Sequence, residues 1–255
     1  AGSDAVSETE LAASGVTLGT APVGPLPAEM GGSEVILNWD SRMVLKTTLY
    51  PNRAVGLITR NGAHHCTGWL ISRNTVATAG HCVHSGRGGT WYDRRTMRFY
   101  PGRDGASSPY GSCGVSRMHS VTGWTVNGNR DYDYGAMRLD CLVGNTVGWF
   151  GMYSHTAPLN EPAIITGYPG DKPQTQWISS DKVREALTRQ VRYRMDTVGG
   201  NSGSPIWSDR SAALSTTGAW GYAIHTFGDT ANSRNGGTRI VSAVLTNYVN
   251  WINLP

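Results

Sequence analysis

Residues 199–205 of this chain read GGNSGSP and place Ser202 among residues that hinder it little. Glycine lacks a Cβ and adopts positive φ readily, so such a loop can turn backbone N–H groups toward a developing negative charge. The same loop would leave the Ser202 hydroxyl exposed as a nucleophile. Gly, Asn, Ser and Pro are also common in ordinary tight turns, so this run indicates chemistry only together with other residues.

A serine nucleophile needs a base to accept its proton, and residues 78–82, TAGHC, offer His81. Imidazole suits this task because its pKa lies near neutrality, and a carboxylate must hold its tautomer. Two carboxylates compete for that place, Asp131 and Asp133. Asp133 directly precedes the apolar run that ends at Leu139, so we expect it at a buried strand start near His81. We therefore predict a catalytic group of His81, Asp133 and Ser202.

Two other kinds of hydrolase are less consistent with these residues. A histidine beside a cysteine can be a core residue or half of a metal site, but metal sites use paired ligands at short spacing. Cys66 and Cys82 are far apart in sequence, and adjacent residues of the run HHC at 64–66 would point to opposite faces of a strand. We predict no metal and no cofactor. A nucleophile elbow, G-x-S-x-G, fails because Ser204 stands where its last glycine belongs.

These motifs resemble the trypsin-like (chymotrypsin-fold) serine proteases, and more narrowly the bacterial glutamyl endopeptidases. The resemblance extends from about residue 35 to the C-terminal helix. It lies in CTGW at 66–69, TVATAGHC at 75–82, GYPGDKP at 167–173, DTVGGNSGSP at 196–205 and IH at 224–225. It implies an all-β fold of two packed antiparallel β-barrels, with His81 and Asp133 from the first barrel and Ser202 from the second. It also implies an oxyanion hole formed by the N–H groups of Gly200 and Ser202.

The resemblance further implies how the substrate is selected. A strand after the serine loop forms one pocket wall in this family, and residues 222–228, YAIHTFG, match it. His225 would then lie in the pocket, where a histidine can donate a hydrogen bond to a carboxylate, although a lone strand histidine is commonly a core residue. Thr197 matches the hydroxyl donor on the opposite wall. The residues expected to pair with the substrate backbone are Thr226, Phe227 and Gly228.

We therefore expect a serine endopeptidase that acts through an acyl-enzyme and cleaves proteins or peptides after Glu, and less readily after Asp. Basic specificity is an alternative, because the offset of Asp196 from Ser202 equals that of the pocket-floor Asp of trypsin. An open carboxylate there would select Arg or Lys, although some glutamyl endopeptidases also carry Asp-Thr at this place. A non-catalytic binding protein on the same fold is a further alternative, against which the intact set of catalytic residues argues.

Residues 1–34 differ in composition from the rest of the chain. They contain no Lys, Arg or aromatic residue, and their carboxylates are Asp4, Glu8, Glu10, Glu29 and Glu34. Their composition suits a pro-segment or an extended tether, and no apolar run is long enough for a signal peptide or a membrane span. Val35 resembles a mature N-terminus and follows Glu34. Our hypothesis is that cleavage between them activates a zymogen and places the new amino group near the substrate carboxylate; the alternative is a permanent extension.

The 255 residues suffice for residues 35–145 to form the first barrel and residues 146–255 the second. Helical spacing predicts a C-terminal α-helix laid on the second barrel, from Val244, Leu245, Tyr248, Val249 and Ile252. The net charge of +4 is too small and scattered to indicate nucleic-acid binding.

The family joins Cys66 to Cys82, which leaves Cys113 and Cys141 as a second pair. Such disulfides predict a secreted, extracellular protein that has lost its signal peptide, and we expect a monomer that binds no membrane.

Overall fold

The computed structural model of this chain describes Ile36 and residues 40–172, 174–209, 218–229 and 233–254. The predictions for residues 1–34 and for Val35 lie outside the described residues. No helix within these ranges is long and apolar enough to cross a membrane.

Six strands of the first half form a closed antiparallel barrel. They are β2 (Val55–Arg60), β3 (Ala63–Leu70), β4 (Thr75–Thr78), β5 (Met97–Pro101), β6 (Cys113–Ser120) and β7 (Gly135–Leu139), in the order β2-β3-β4-β7-β6-β5. Leu57, Trp69 and Val76 are completely buried inside the first half. Asn61 and Gly62 join β2 to β3 with φ angles of 51° and 76°, which is the backbone of a two-residue hairpin turn. These strands therefore close around a shared buried core.

The remaining strands form a second sheet. They are β1 (Met43–Val44), β8 (Gly151–Met152), β9 (Pro162–Gly167), β10 (Trp177–Lys182), β11 (Glu185–Ala186), β12 (Gln190–Tyr193), β13 (Pro205–Asp209), β14 (Ala219–Asp229) and β15 (Arg234–Arg239). Their order is β1-β10-β9-β13-β14-β15-β12-β11, and β8 pairs with β14 in parallel. The predicted chymotrypsin-like fold is confirmed, as a mostly β structure with one closed barrel and a second sheet. In the described part of the chain, however, this second sheet has two ends, because β1 and β11 contain two residues each and do not pair with one another.

The helices are short except at the C-terminus. They are α1 (Thr122–Thr125), α2 (Gly144–Val147) and α3 (Ser242–Asn253). The predicted C-terminal helix is present, but the expectation that it lies on the second barrel is wrong. Tyr248 Oη donates to Gly135 O at 3.2 Å, and the rings of Tyr248 and Trp251 pack on Tyr134. The helix packs against the first barrel because its buried aromatic side chains find aromatic partners there.

Both predicted disulfides are present, Cys66–Cys82 and Cys113–Cys141. The first joins β3 to the 3-10 helix Gly80–Cys82, which carries His81. In the chain-entropy model a bridge closing a loop of this length stabilises the fold by roughly 3 kcal/mol. It therefore also restrains the candidate base relative to the barrel.

The buried side chain of His65 makes folding stability depend on pH. Its Nε2 lies 2.9 Å from Cys82 O, and its ring meets the Tyr92 ring edge-on. Burial lowers the pKa of His65 to about 4. The unfolded chain takes up this proton near pH 6.5, so the folded state is favoured fully above that pH. We expect His65 to account for a loss of roughly 3 kcal/mol in unfolding free energy as the pH falls from 6.5 to 4.

The matched variant is His65→Gln, whose amide can still donate to Cys82 O but does not titrate. Urea unfolding at pH 7 and pH 4 should show a smaller acid-induced loss of stability in the variant than in the wild type. Equal losses in the two proteins would contradict this account.

Candidate active site

His81 and Asp133 form a paired arrangement on the first barrel. Nδ1 of His81 lies 2.8 Å from Asp133 Oδ2, and the His81 backbone N–H donates to Asp133 Oδ1 at 2.8 Å. The Asp133 side chain is 5% exposed, whereas that of His81 is 25% exposed. The carboxylate therefore orients the imidazole from its buried side. Asp131 instead accepts a hydrogen bond from Gln190 Nε2 at 2.7 Å, so the structure brings Asp133 and not Asp131 to His81.

The loop that carries Ser202 is anchored to the first barrel next to His81. Thr67 N–H donates to Ser202 O at 2.8 Å, and Cys82 Sγ lies 3.7 Å from the same oxygen. On the other side of the loop, Gly203 N–H donates to His225 O at 2.7 Å. Backbone groups of both halves of the fold therefore hold the Ser202 loop beside the turn that carries His81.

The peptide between Gly199 and Gly200 has a defined orientation. Gly170 N–H donates to Gly199 O at 2.7 Å, and Thr67 Oγ1 donates to Gly200 O at 2.8 Å. A trans peptide directs its N–H opposite to its C=O, so the Gly200 N–H points away from Gly170. Gly200 adopts φ +105°, which glycine tolerates at little cost. This orientation suits a donor of an oxyanion hole. The sequence identified neither Gly170, which holds this peptide, nor Thr67, which holds the carbonyl of the next one.

Asp196 is buried and already has partners. Its Oδ2 accepts hydrogen bonds from the backbone N–H of Ser41, at 2.9 Å, and from the Ser41 hydroxyl, while its N–H donates to Ser179 Oγ at 3.1 Å. An aspartate engaged in this way differs from the open carboxylate that basic specificity requires. Sequence reasoning missed Ser41, because nothing in its local pattern connects it to residue 196.

Thr197 and His225 are both completely buried. The Thr197 hydroxyl has no hydrogen-bond partner among the described residues. Nδ1 of His225 lies 2.6 Å from the hydroxyl of Tyr193, which is itself fully buried on β12. The sequence alone did not reveal Tyr193, because nothing in the local pattern of its strand indicates a contact with a distant histidine.

The strand expected to pair with a substrate is present in β14. Its register with β13 ends at Ile224, and its register with β15 continues to Arg234. The residues expected to pair with a substrate are Thr226, Phe227 and Gly228, which lie beyond the last pair with β13. In the part of the chain that the structure describes, one edge of these three residues therefore has no neighbouring strand. A register irregularity between His225 and Phe227 marks a bulge, which re-aims side chains at this point.

Two clusters bring potential metal-ligand atoms within 4.8 Å of one another in the described ranges. They are Cys66, His81, Cys82 and Cys113, Asp140, Cys141. Each contains a disulfide, whose sulfurs are not the thiolates that bind metals. Neither cluster offers a suitable ligand set.

Residues 47–252 match the sequence family described as Trypsin. The chain therefore belongs to the trypsin family and is a serine endopeptidase with a chymotrypsin-like fold.

The chain is also similar to individual proteins whose names are more specific than that of the family. It is 42% identical over 233 residues to the glutamyl endopeptidase of Bacillus licheniformis, covering 90% of this chain and 72% of that protein. It is 38% identical over 227 residues to a Bacillus subtilis protein named extracellular metalloprotease, covering 86% and 70%. The solved structure of a Glu endopeptidase in complex with MPD superimposes with a TM-score of 0.77 at 28% identity, covering 86% of this chain and 99% of the other.

Proposed function

We propose that this chain is a secreted endopeptidase that cleaves peptide bonds after Glu, with His81, Asp133 and Ser202 as its catalytic residues. The observation that carries the proposal is the hydrogen-bonded pair of His81 and Asp133 beside the anchored Ser202 loop. The relative from Bacillus licheniformis, a glutamyl endopeptidase by name, supports the specificity.

In this mechanism Ser202 Oγ attacks the substrate carbonyl carbon while Nε2 of His81 accepts the hydroxyl proton. The imidazolium, stabilised by Asp133, then gives that proton to the leaving amine, and the C–N bond breaks to leave an acyl-enzyme. Water attacks the ester by the same route and regenerates the serine. The N–H groups of Gly200 and Ser202 stabilise the negative oxygen of both tetrahedral intermediates.

The proposed pocket recognises a carboxylate with two neutral donors. When the Tyr193 hydroxyl donates to Nδ1 of His225, the imidazole carries its proton on Nε2 and can donate it to the substrate. The buried Thr197 hydroxyl supplies a second donor. A shorter Asp side chain reaches these donors less well, and leaving a buried donor unpaired costs about 1–3 kcal/mol.

The proposal is tested with matched peptides that differ only in the residue before the scissile bond: Glu, Gln, Asp, Arg or Phe. We expect the highest kcat/KM for Glu and a lower value for Asp. Poor cleavage of the Gln peptide would show that the pocket requires the charge and not only the shape of Glu. Rapid cleavage of the Arg peptide alone would overturn the pocket assignment and favour basic specificity.

The role of Tyr193 yields a separate prediction. Tyr193→Phe removes the hydroxyl that holds His225, and we expect kcat/KM for the Glu peptide to fall about tenfold, in line with the loss of one buried hydrogen bond. The rate of labelling by a small serine-directed phosphonylating reagent without a carboxylate should stay unchanged. Tyr222→Phe is the control, because it also removes the hydroxyl of a buried tyrosine, but one that donates to Pro162 O at 3.0 Å instead of to His225. Equal losses in both variants would indicate a general structural effect.

We further propose that residues 1–34 are a pro-segment and that cleavage after Glu34 activates the enzyme. The composition of this segment supports the proposal, as does the contact of nearby Ser41 with Asp196. N-terminal sequencing of active enzyme should find Val35 first. A fully active species that still begins at Ala1 would refute this proposal and favour a permanent extension.

A further inference from the structure

Arg42 lies outside the proposed catalytic group, and its side chain makes four hydrogen bonds to two carboxylates. Its side chain is only 2% exposed. It binds both oxygens of Asp40, at 2.8 and 2.9 Å, and both oxygens of Asp171, at 2.8 and 2.6 Å. Burial opposes its charge, but the hydrogen bonds to Asp171 and Asp40 outweigh that effect and raise the pKa of Arg42 above its usual range. A planar guanidinium shared between two carboxylates in this way has a fixed position.

One of these carboxylates belongs to the loop that contacts the serine loop. Asp171 directly follows Gly170, whose N–H donates to Gly199 O at 2.7 Å. The loop is tightened by a further bond from Lys172 N–H to Pro169 O at 3.1 Å. A continuous set of contacts therefore connects Arg42, through Asp171 and Gly170, to the peptide that presents the Gly200 N–H.

This peptide needs external support. Gly199 and Gly200 lack side chains, so the plane between them can rotate with little steric resistance. Rotation would exchange the positions of the Gly199 carbonyl and the Gly200 N–H and would direct an oxygen where a donor is required. The bond from Gly170 to Gly199 O opposes that rotation, and its strength depends on how firmly the loop of residues 168–172 is held.

We propose that Arg42 is a positioning residue for the oxyanion hole. By binding Asp171 it holds Gly170 in place, and Gly170 keeps the Gly200 N–H directed toward the reacting carbonyl. This inference rests on the proposed function, because it assumes that Gly200 supplies an oxyanion donor. It assigns Arg42 no contact with the substrate, in contrast to Thr197 and His225.

The test is a double-mutant cycle between Arg42 and Gly200 on the best peptide substrate of the wild type. We expect Arg42→Met to lower kcat about tenfold with little change in KM, a fraction of the 10²–10³ that complete loss of an oxyanion donor costs. In a Gly200→Ala background, which already lacks a correctly placed donor, Arg42→Met should have little further effect.

Two milder variants keep the test informative if Arg42→Met does not fold. Arg42→Lys keeps the charge but not the four-bond geometry, and Asp171→Asn keeps the side-chain shape; both should lower kcat more than they raise KM. Arg184→Gln is the control, because Arg184 makes an exposed ion pair with Asp181 on the second sheet. It should leave both kinetic constants unchanged.

The inference would be overturned if Arg42 variants lost thermal stability while kcat stayed at the wild-type value. It would equally be overturned if the Arg42→Met and Gly200→Ala effects simply multiplied. Failure of the proposed specificity appears separately, as wild-type preference for a peptide other than Glu, and the cycle can then be run on that peptide.

Discussion

Ser202→Ala should lower kcat on a Glu peptide by about 10⁶-fold, because the variant has no oxygen with which to attack the carbonyl. His81→Ala should have a nearly equal effect, and the double variant should be little worse than either single one, since the two residues act as one unit. Steady-state hydrolysis by purified variants measures these effects. Additive losses would show that the two side chains do not work in the same step.

Asp133→Asn should lower kcat about 10⁴-fold, because an amide in contact with Nδ1 favours the wrong imidazole tautomer. Asp131→Asn is the matched control, since Asp131 lies two residues away and binds Gln190. We expect it to keep activity near that of the wild type. A large loss in Asp131→Asn with a small one in Asp133→Asn would reverse the assignment of the carboxylate.

Gly200→Ala should lower kcat by about 10²–10³-fold through loss of one oxyanion donor. A Cβ at this position would lie 2.4 Å from Nε2 of His64 and 2.7 Å from Tyr168 O, and φ of +105° is strained for alanine. The peptide must therefore move, and its N–H moves with it. KM should change less than kcat, because the donor acts mainly in the transition state.

Gly105→Ala controls for backbone strain in the Gly200→Ala experiment. Gly105 also has positive φ, +54°, but a Cβ there would have no neighbour within 4 Å. We expect a small loss of thermal stability and no loss of kcat. If Gly105→Ala lowered kcat as much as Gly200→Ala, strain rather than the donor would be responsible.

Candidate residues and elements that belong to one short local pattern could be identified from the sequence. The glycine-rich loop around Ser202 and the histidine turn at His81 are short runs whose residue types follow from what the chemistry needs nearby. The 3.6-residue spacing of α3 likewise reflects the geometry of a single element. The resemblance to a family added the disulfide pairing.

Other features could not be predicted because they depend on which distant residues meet. The apolar run after Asp133 favoured it over Asp131, but only the tertiary structure shows which of the two carboxylates contacts His81. Helical spacing showed that α3 has an apolar face but not which half of the fold covers it.

By itself, the sequence determined the chemistry available at the serine and histidine motifs, the β character of the chain and its C-terminal helix. Only the tertiary structure decided that Ser41 binds Asp196, that the Tyr193 hydroxyl contacts His225 and that Arg42 binds Asp171. Motifs are readable because their residues act within a few positions of one another. Partners brought together from opposite ends of the chain are selected by packing, and packing leaves no periodic signal in the order of residues.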